Sequence, residues 1–131
     1  MNKIENIKDR WKGKTILVAE DVDTSIMFYK AAFSKTGVKV IWADNGKDAV
    51  EECEKEEDID LVLMDINMPQ MNGLEATERI KKIRPKVPVI VQTAYLLSNE
   101  KEKSYEAGAD DFIAKPITYQ KLMQILVDHL G

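Results

Sequence analysis

Four hydrophobic runs in this chain are followed directly by residues whose side chains could bind a metal ion, or accept or stabilise a phosphoryl group. These residues, in chain order, are Glu20, Asp21, Asp65, Thr93 and Lys115, and Pro116 follows the last of them. Three carboxylates in one cleft cannot all stay ionised cheaply without a cation, and carboxylate oxygens suit Mg²⁺. A carboxylate can also be the nucleophile that forms an aspartyl phosphate, while a lysine and a hydroxyl stabilise the phosphoryl oxygens.

The residues can act together only if the runs before them are strands of one sheet. Five runs recur at a nearly constant spacing: Thr15–Ala19, Val38–Ala43, Leu61–Met64, Val87–Gln92 and Asp111–Ala114. Four are continuous and rich in Val, Ile and Leu, which is typical of strands buried on both faces of a parallel sheet. The second run begins with alternating residues, which predicts an edge strand.

Amphipathic patterns between the runs predict five helices. The apolar face of the first consists of Val22, Ile26, Tyr29 and Phe33. Gly37 is placed to end that helix in the left-handed conformation. The second and third helices are predicted to begin at Asn45-Gly46 and Asn72-Gly73, and Ser98 and Thr118 are candidate N-caps of the last two.

Alternation of strands and helices predicts an α/β fold with right-handed crossovers onto one sheet. We expect a doubly wound five-stranded parallel sheet with the flavodoxin-like strand order 2-1-3-4-5 and helices on both faces. Strands one and three are then neighbours, so Glu20, Asp21 and Asp65 converge at the carboxyl edge, with Thr93 and Lys115 on the adjoining strands.

Composition excludes several function classes. The chain has 131 residues, with 19 Lys and Arg against 23 Asp and Glu, and this net charge of −4 argues against a broad nucleic-acid surface. One cysteine, Cys53, and one histidine, His129, exclude an internal disulfide and a Cys/His zinc site. The apolar runs are too short to span a bilayer, so we expect a cytoplasmic domain without membrane contact.

Four segments resemble the receiver domain of two-component response regulators. They are ILVAED (16–21), LVLMDINMPQMNGLEAT (61–77), VPVIVQTA (87–94) and AGADDFIAKPI (107–117), and the resemblance covers residues 14 to 130. It implies a phosphorelay function, in which the domain takes a phosphoryl group from the phosphohistidine of a histidine kinase or phosphotransfer domain and then changes its protein-contact surface.

The resemblance also implies how the acidic residues divide the work. Asp65 would be the phosphoacceptor and, with Asp21, a direct ligand of Mg²⁺. Glu20 would be a second acidic group that acts on the metal through water. The backbone carbonyl of Asn67 would be a third metal contact.

Further residues match positions that complete the reaction and the switch. Lys115 would pair with the phosphoryl group, and the Lys115–Pro116 peptide bond would be cis. Thr93 would move its hydroxyl to a phosphoryl oxygen while Phe112, where the family often has Tyr, rotates inward. Asn67 and Tyr95 lie where the family tunes the lifetime of the phosphoryl group.

Residues 1–13 are interpreted as an N-terminal arm or interdomain linker, and residues 14–131 as the receiver domain. The arm, with Trp11, resembles the connector of hybrid sensor histidine kinases, so we expect the parent chain to be a hybrid kinase; a stand-alone regulator is the alternative. Alone, the domain would catalyse its own phosphorylation and dephosphorylation without being a turnover enzyme. The runner-up function is an aspartate-nucleophile phosphatase that uses Asp21.

Two helices carry more apolar residues than one buried stripe needs. The spare face of the first, Met27, Phe28 and Ala31, could dock on the helical bundle that bears a phosphohistidine, or pack among neighbouring helices. Met123 and Val127 on the fifth are candidates for an output or self-association surface.

Overall fold

The computed structural model describes residues 7–55, 58–66, 68, 71–93 and 99–131. Strands and helices alternate along them. The elements are β1 (Thr15–Ala19), α1 (Asp23–Phe33), β2 (Lys39–Ala43), α2 (Gly46–Lys55), β3 (Leu61–Asp65), α3 (Gly73–Ile83), β4 (Val89–Thr93), α4 (Glu100–Glu106), β5 (Asp111–Ala114) and α5 (Tyr119–Leu130).

The strands form one parallel sheet in the order β2-β1-β3-β4-β5, which confirms the predicted fold class. The second strand lies at an edge, as its alternating pattern indicated. The fourth strand begins at Val89, two residues later than predicted, and reaches Thr93. The reason is local: the N–H of Val87 donates to the carbonyl of Arg84 in a turn, and Pro88 has no N–H to donate.

Side chains alternate between the two faces of the sheet and enter two apolar layers. We name these the α1–α5 layer, which contains Ile16, Val18, Leu61, Leu63, Ile90, Leu122 and Leu126, and the α2–α3 layer, which contains Leu17, Val62, Met64, Val89, Val91, Ala49, Cys53 and Ile80. Both faces of the central strands are therefore covered, which explains why their sequences are continuously apolar.

Helix α1 ends earlier than Gly37 predicted, and the expectation that Gly37 terminates it was wrong. The helix stops at Phe33 because Ser34 Oγ donates to the Ala31 carbonyl and Thr36 Oγ1 donates to the Phe33 carbonyl, closing the last turns. Gly37 has φ +77° and serves the following turn into β2. Val22 is 45% exposed, so it does not belong to the buried face.

The segment before β1 packs against the domain. Trp11 is 1% exposed and lies in the α1–α5 layer together with Ile7. The backbone N–H groups of Asp9 and Trp11 donate to the carbonyls of Lys35 and Thr36. This segment therefore contributes to the core, while the boundary between residues 13 and 14 stays a prediction.

Two apolar side chains of α5 are less exposed than the sequence indicated. Thr118 caps it as predicted, accepting from the N–H of Lys121 at 3.2 Å. Met123 and Val127 are buried in the α1–α5 layer, so the prediction that they form an output surface was wrong. The other predicted cap, Ser98, lies outside the described residues.

Candidate functional site

An acidic cluster lies at the carboxyl ends of β1 and β3. One carboxylate oxygen from each of Glu20, Asp21 and Asp65 lies within 4.8 Å of the others. Glu20 and Asp65 are buried, at 1% and 2% exposure, whereas Asp21 is exposed. The predicted convergence of the three carboxylates is therefore present in the structure.

Strand pairing and one glycine produce this arrangement. Ala19 of β1 pairs with Met64 of β3, so the residues that follow each of them are neighbours at the sheet edge. The N–H of Gly73, the first residue of α3, donates to the Ile66 carbonyl at 3.2 Å. A Cβ on Gly73 would overlap the Asp65 carbonyl oxygen, so the close approach of α3 to β3 requires glycine.

The two carboxylate oxygens of Glu20 differ in their hydrogen bonds. Its Oε2 accepts from the backbone N–H groups of Asp21 at 3.1 Å and Val22 at 3.3 Å. Its Oε1 is buried and has no hydrogen-bond partner among the described residues. Burial raises the pKa of Glu20 to about 7, and the negative charge of Asp65 adds to the shift, although Lys115 opposes it.

These properties fit a divalent cation. A buried carboxylate oxygen without a hydrogen bond, beside a second buried carboxylate and an exposed third, offers the hard oxygen ligands that Mg²⁺ binds. A cation would also favour the ionised form of Glu20, which burial and Asp65 disfavour. The donor set therefore supports the predicted magnesium site.

Lys115 extends from the end of β5 into the cluster. Its Nζ lies 3.2 Å from Asp65 Oδ2 and 3.6 Å from Glu20 Oε1. Its backbone N–H donates to the Thr93 carbonyl at 2.8 Å, and the Lys115–Pro116 peptide bond is cis. A fixed positive charge thus lies directly beside the predicted phosphoacceptor.

Thr93 is placed differently from the acidic cluster. Asp65 follows Leu63 on the α1–α5 face of the sheet, whereas Thr93 follows Val91 on the α2–α3 face. The Thr93 hydroxyl donates to Oε2 of Glu100, in the first turn of α4, at 3.0 Å. Phe112 is half-buried and packs against the α2–α3 layer.

Two of the predicted site residues are not described by the structure, and two residues near the site were not predicted. Asn67 and Tyr95 lie outside the described residues. Sequence reasoning missed Glu100, which no pattern connects with Thr93. It also missed Gln92, although a glutamine inside an otherwise apolar strand was a signal: its side chain is buried and bonded to Tyr29.

Comparison with known proteins gives a consistent result. The family model described as response regulator receiver domain matches residues 16–127. The chain is 38% identical over 115 residues to the chemotaxis protein CheY of Thermotoga maritima, covering 87% of this chain and 95% of that protein. It is 31% identical over 125 residues to the sensor histidine kinase GacS of Pseudomonas protegens, covering 92% of this chain but 14% of the kinase.

A solved structure shares both fold and sequence with the chain. The receiver domain of a Pseudomonas aeruginosa sensor histidine kinase superposes with a TM-score of 0.82 at 31% identity, covering 90% of this chain and 98% of that one. That structure is described as having a magnesium ion coordinated in the active-site cleft. In the described part of our chain, no helix has the length and apolar character needed to cross a membrane.

Proposed function

The chain belongs to the response regulator receiver domain family of two-component systems, and from this we propose that it accepts a phosphoryl group from a phosphohistidine onto Asp65. The observation that carries the proposal is the placement of Asp65. One oxygen of its buried carboxylate lies within 4.8 Å of the other two acids of the cluster, and Asp65 Oδ2 lies 3.2 Å from Lys115 Nζ. Nucleophilic attack by a carboxylate on phosphorus requires such an environment, in which positive charge offsets the charge of the phosphoryl oxygens.

In the proposed reaction, an Asp65 carboxylate oxygen attacks phosphorus in line with the bond to the donor imidazole. An O–P bond forms and the P–N bond breaks, and its electron pair returns to the ring nitrogen, which takes a proton from water. Lys115 stabilises the negative charge of the phosphoryl oxygens. Thr93 would turn its hydroxyl from Glu100 to one of those oxygens, and Phe112 would rotate inward in the space that this leaves.

The metal assignment is part of the same proposal. Asp21 and Asp65 would bind Mg²⁺ directly, Glu20 would act through water, and the carbonyl of Asn67 remains a predicted third contact. When bound, the ion neutralises charge on the phosphoryl group during transfer. The buried Oε1 of Glu20 and the exposed carboxylate of Asp21 support this division.

The donor is proposed to dock beside α1. A groove of about 250 Å³ opens next to Lys115, and its lining residues are Thr24, Ser25, Phe28, Tyr29, Lys115, Pro116 and Ile117. On the same helix Met27 is 68% exposed and Ala31 is also exposed, so the spare apolar face predicted for the first helix is largely accessible. A histidine kinase or phosphotransfer domain could present its phosphohistidine there.

The parent protein is also a proposal. The chain spans 14% of the GacS kinases, but 95% of CheY, so relatives of both kinds exist. We favour the receiver of a hybrid histidine kinase, working in the cytoplasm without direct contact with nucleic acid. A native gene that encodes only these 131 residues would instead establish a stand-alone regulator.

Covalent labelling tests the central step. The purified protein is incubated with acetyl phosphate and Mg²⁺, and intact mass is compared for wild type, Asp65→Asn, Asp21→Asn and Lys115→Ala. We expect wild type to gain one phosphate and Asp65→Asn to gain none, because asparagine lacks the anionic oxygen that attacks phosphorus. Lys115→Ala should retain slow labelling, since the lysine stabilises charge and is not the nucleophile.

The runner-up function predicts the reverse pattern. If Asp21 is the nucleophile of a phosphatase, Asp21→Asn abolishes labelling and Asp65→Asn spares it. Asp65→Asn should remain folded and be as thermally stable as wild type or slightly more so, since it relieves repulsion within the cluster. Labelling of folded Asp65→Asn at the wild-type level would refute the proposed site.

A further inference from the structure

Tyr29 and Gln92 form a hydrogen-bonded pair inside the α1–α5 layer. Tyr29, on α1, is 1% exposed, and Gln92, on β4, is fully buried. The Tyr29 hydroxyl donates to Gln92 Oε1. An apolar pair would fill this space without the cost of burying two polar groups, so the presence of both calls for an explanation beyond packing.

The pair lies directly beside the phosphorylation site. Gln92 is the register partner of Asp65 on the neighbouring strand. Both residues point to the same face, since Asp65 follows Leu63 and Gln92 follows Ile90 in the α1–α5 layer. Burial raises the pKa of Tyr29, and the nearby charges of Glu20 and Asp65 add to it, so the hydroxyl keeps its proton and remains a donor.

The amide of Gln92 has two unlike ends, and only one is engaged. Oε1 accepts from Tyr29, while Nε2 is buried without a hydrogen-bond partner among the residues that the structure describes. A buried donor without a partner is costly, and such groups are retained where they serve a function. Because Tyr29 holds the oxygen, the donor end is the one left to respond to negative charge.

We propose that Tyr29 and Gln92 are positioning residues for phosphorylation: the tyrosine hydroxyl holds the Gln92 amide in one orientation beside Asp65, so that an N–H₂ group and not a carbonyl oxygen faces the charge that develops there. This inference rests on the proposed function of Asp65. The pair would supply polar groups next to the acidic cluster, on the side that faces the protein interior. It would also link the cluster to α1, because Tyr29 belongs to that helix and lines the groove beside Lys115.

The test uses Tyr29→Phe, Gln92→Met, the double variant, and Ile90→Val as a matched control. Ile90 is buried on the same strand and face, two residues before Gln92, so its truncation perturbs the core without touching the amide. Urea unfolding gives the stability of each variant. Initial rates of labelling by acetyl phosphate at saturating Mg²⁺ are then measured at a temperature at which all variants are folded.

Each single variant should be phosphorylated about two- to tenfold more slowly, the range that one neutral hydrogen bond contributes. The double variant should be no slower than the singles, because the two groups act as one unit. Its stability should partly recover, since neither polar group is then buried alone. Ile90→Val should be labelled at the wild-type rate although it is less stable.

Side-chain amide signals of Gln92 in a ¹⁵N spectrum, identified by their loss in Gln92→Met, give an independent measurement. We expect them to shift when Mg²⁺ and beryllofluoride are added, and to shift less in Tyr29→Phe. Unchanged labelling rates, rates that follow stability through Ile90→Val, or rate losses that multiply in the double variant would each overturn the inference. If wild type is not labelled at all, the proposed function fails. The role of Tyr29 and Gln92 is then tested by the amide signals alone, and an equal shift of the Gln92 signals in wild type and Tyr29→Phe would refute that role.

Discussion

At the scale of single residues, the three carboxylates of the acidic cluster differ in burial and in their hydrogen bonds. Glu20 is buried and one of its oxygens already accepts two backbone N–H groups. Asp21 is exposed, and its pair of oxygens is accessible to a hydrated ion. This difference suggests that Asp21 contributes more direct binding energy to Mg²⁺ than Glu20 does.

We therefore expect Asp21→Asn to weaken Mg²⁺ binding more than Glu20→Gln. A group that acts through water costs about 10- to 100-fold in affinity when it is changed, and loss of a direct ligand costs more. Calorimetric titration of Mg²⁺ measures both, with the exposed Asp58→Asn as a control for net charge. Equal affinity in wild type and Asp21→Asn would contradict the assignment.

The buried thiol of Cys53 should make the free energy of unfolding depend on pH, independently of the metal site. Burial in the α2–α3 layer raises the pKa of its thiol to about 11 from 9.0. The unfolded thiol ionises first, so its contribution to the free energy of unfolding is intact below pH 9 and is lost as pH rises through 11. The loss amounts to about 3 kcal/mol, since a shift of about two pKa units corresponds to 1.36 kcal/mol for each unit.

Urea unfolding between pH 8 and 10.5 checks this by comparing wild type with Cys53→Ala. The alanine variant lacks the thiol but keeps every other titrating group. Wild type should therefore lose stability faster with rising pH than the variant does. Parallel pH profiles would show that the thiol ionises alike in the folded and unfolded states.

At the scale of elements, the bond between Thr93 and Glu100 ties the end of β4 to the first turn of α4. The proposed movement of Thr93 toward a phosphoryl oxygen must break this bond. Glu100 therefore stabilises the unphosphorylated arrangement, and α4 is the element that the switch would release.

Glu100→Ala should favour the phosphorylated state, because the competing acceptor is gone. We expect the fraction phosphorylated at a subsaturating acetyl phosphate concentration, expressed as a ratio to unphosphorylated protein, to rise about two- to tenfold. Intact-mass spectrometry measures this ratio. Glu102→Ala, an exposed neighbour on the same helix, is the control, and a similar rise in both variants would exclude a specific role for the Thr93–Glu100 bond.

At the scale of the whole molecule, the residues of the candidate site are divided between the two faces of the sheet. Lys115 lines the groove along α1, whereas Phe112 packs against the α2–α3 layer and Thr93 follows Val91 on that same face. Under the proposed function, one side of the sheet would receive the phosphoryl donor and the other would transmit the conformational change. The N-terminal segment is held by Trp11, which is buried in the α1–α5 layer, and by Arg10 Nε, which donates to the Gly131 carbonyl at 2.8 Å.

A donor that docks on α1 should be sensitive to its exposed apolar face. Met27→Glu should slow transfer from a phosphohistidine donor protein about fivefold or more, as expected for an interface residue whose loss costs over 1 kcal/mol. Labelling by acetyl phosphate, which needs no docking surface, should change little. Ile83→Glu places the same charge on an exposed isoleucine of α3 and serves as control; equal effects of both variants on transfer would argue against docking at α1.

The sequence by itself determined that five parallel strands alternate with helices, and that Glu20, Asp21, Asp65 and Lys115 follow the carboxyl ends of three of those strands. This follows from local periodicity, because continuous apolar runs separated by helices specify a parallel sheet whose carboxyl ends share one edge. Periodicity does not specify the order 2-1-3-4-5, which was expected only because it is common among doubly wound sheets. The tertiary structure decided what depends on contacts between distant segments. It buried Trp11, Met123 and Val127 in one layer, paired Tyr29 with Gln92, and joined Thr93 to Glu100. No periodicity encodes such partners, since they are selected by the side chains that packing brings together across the sheet.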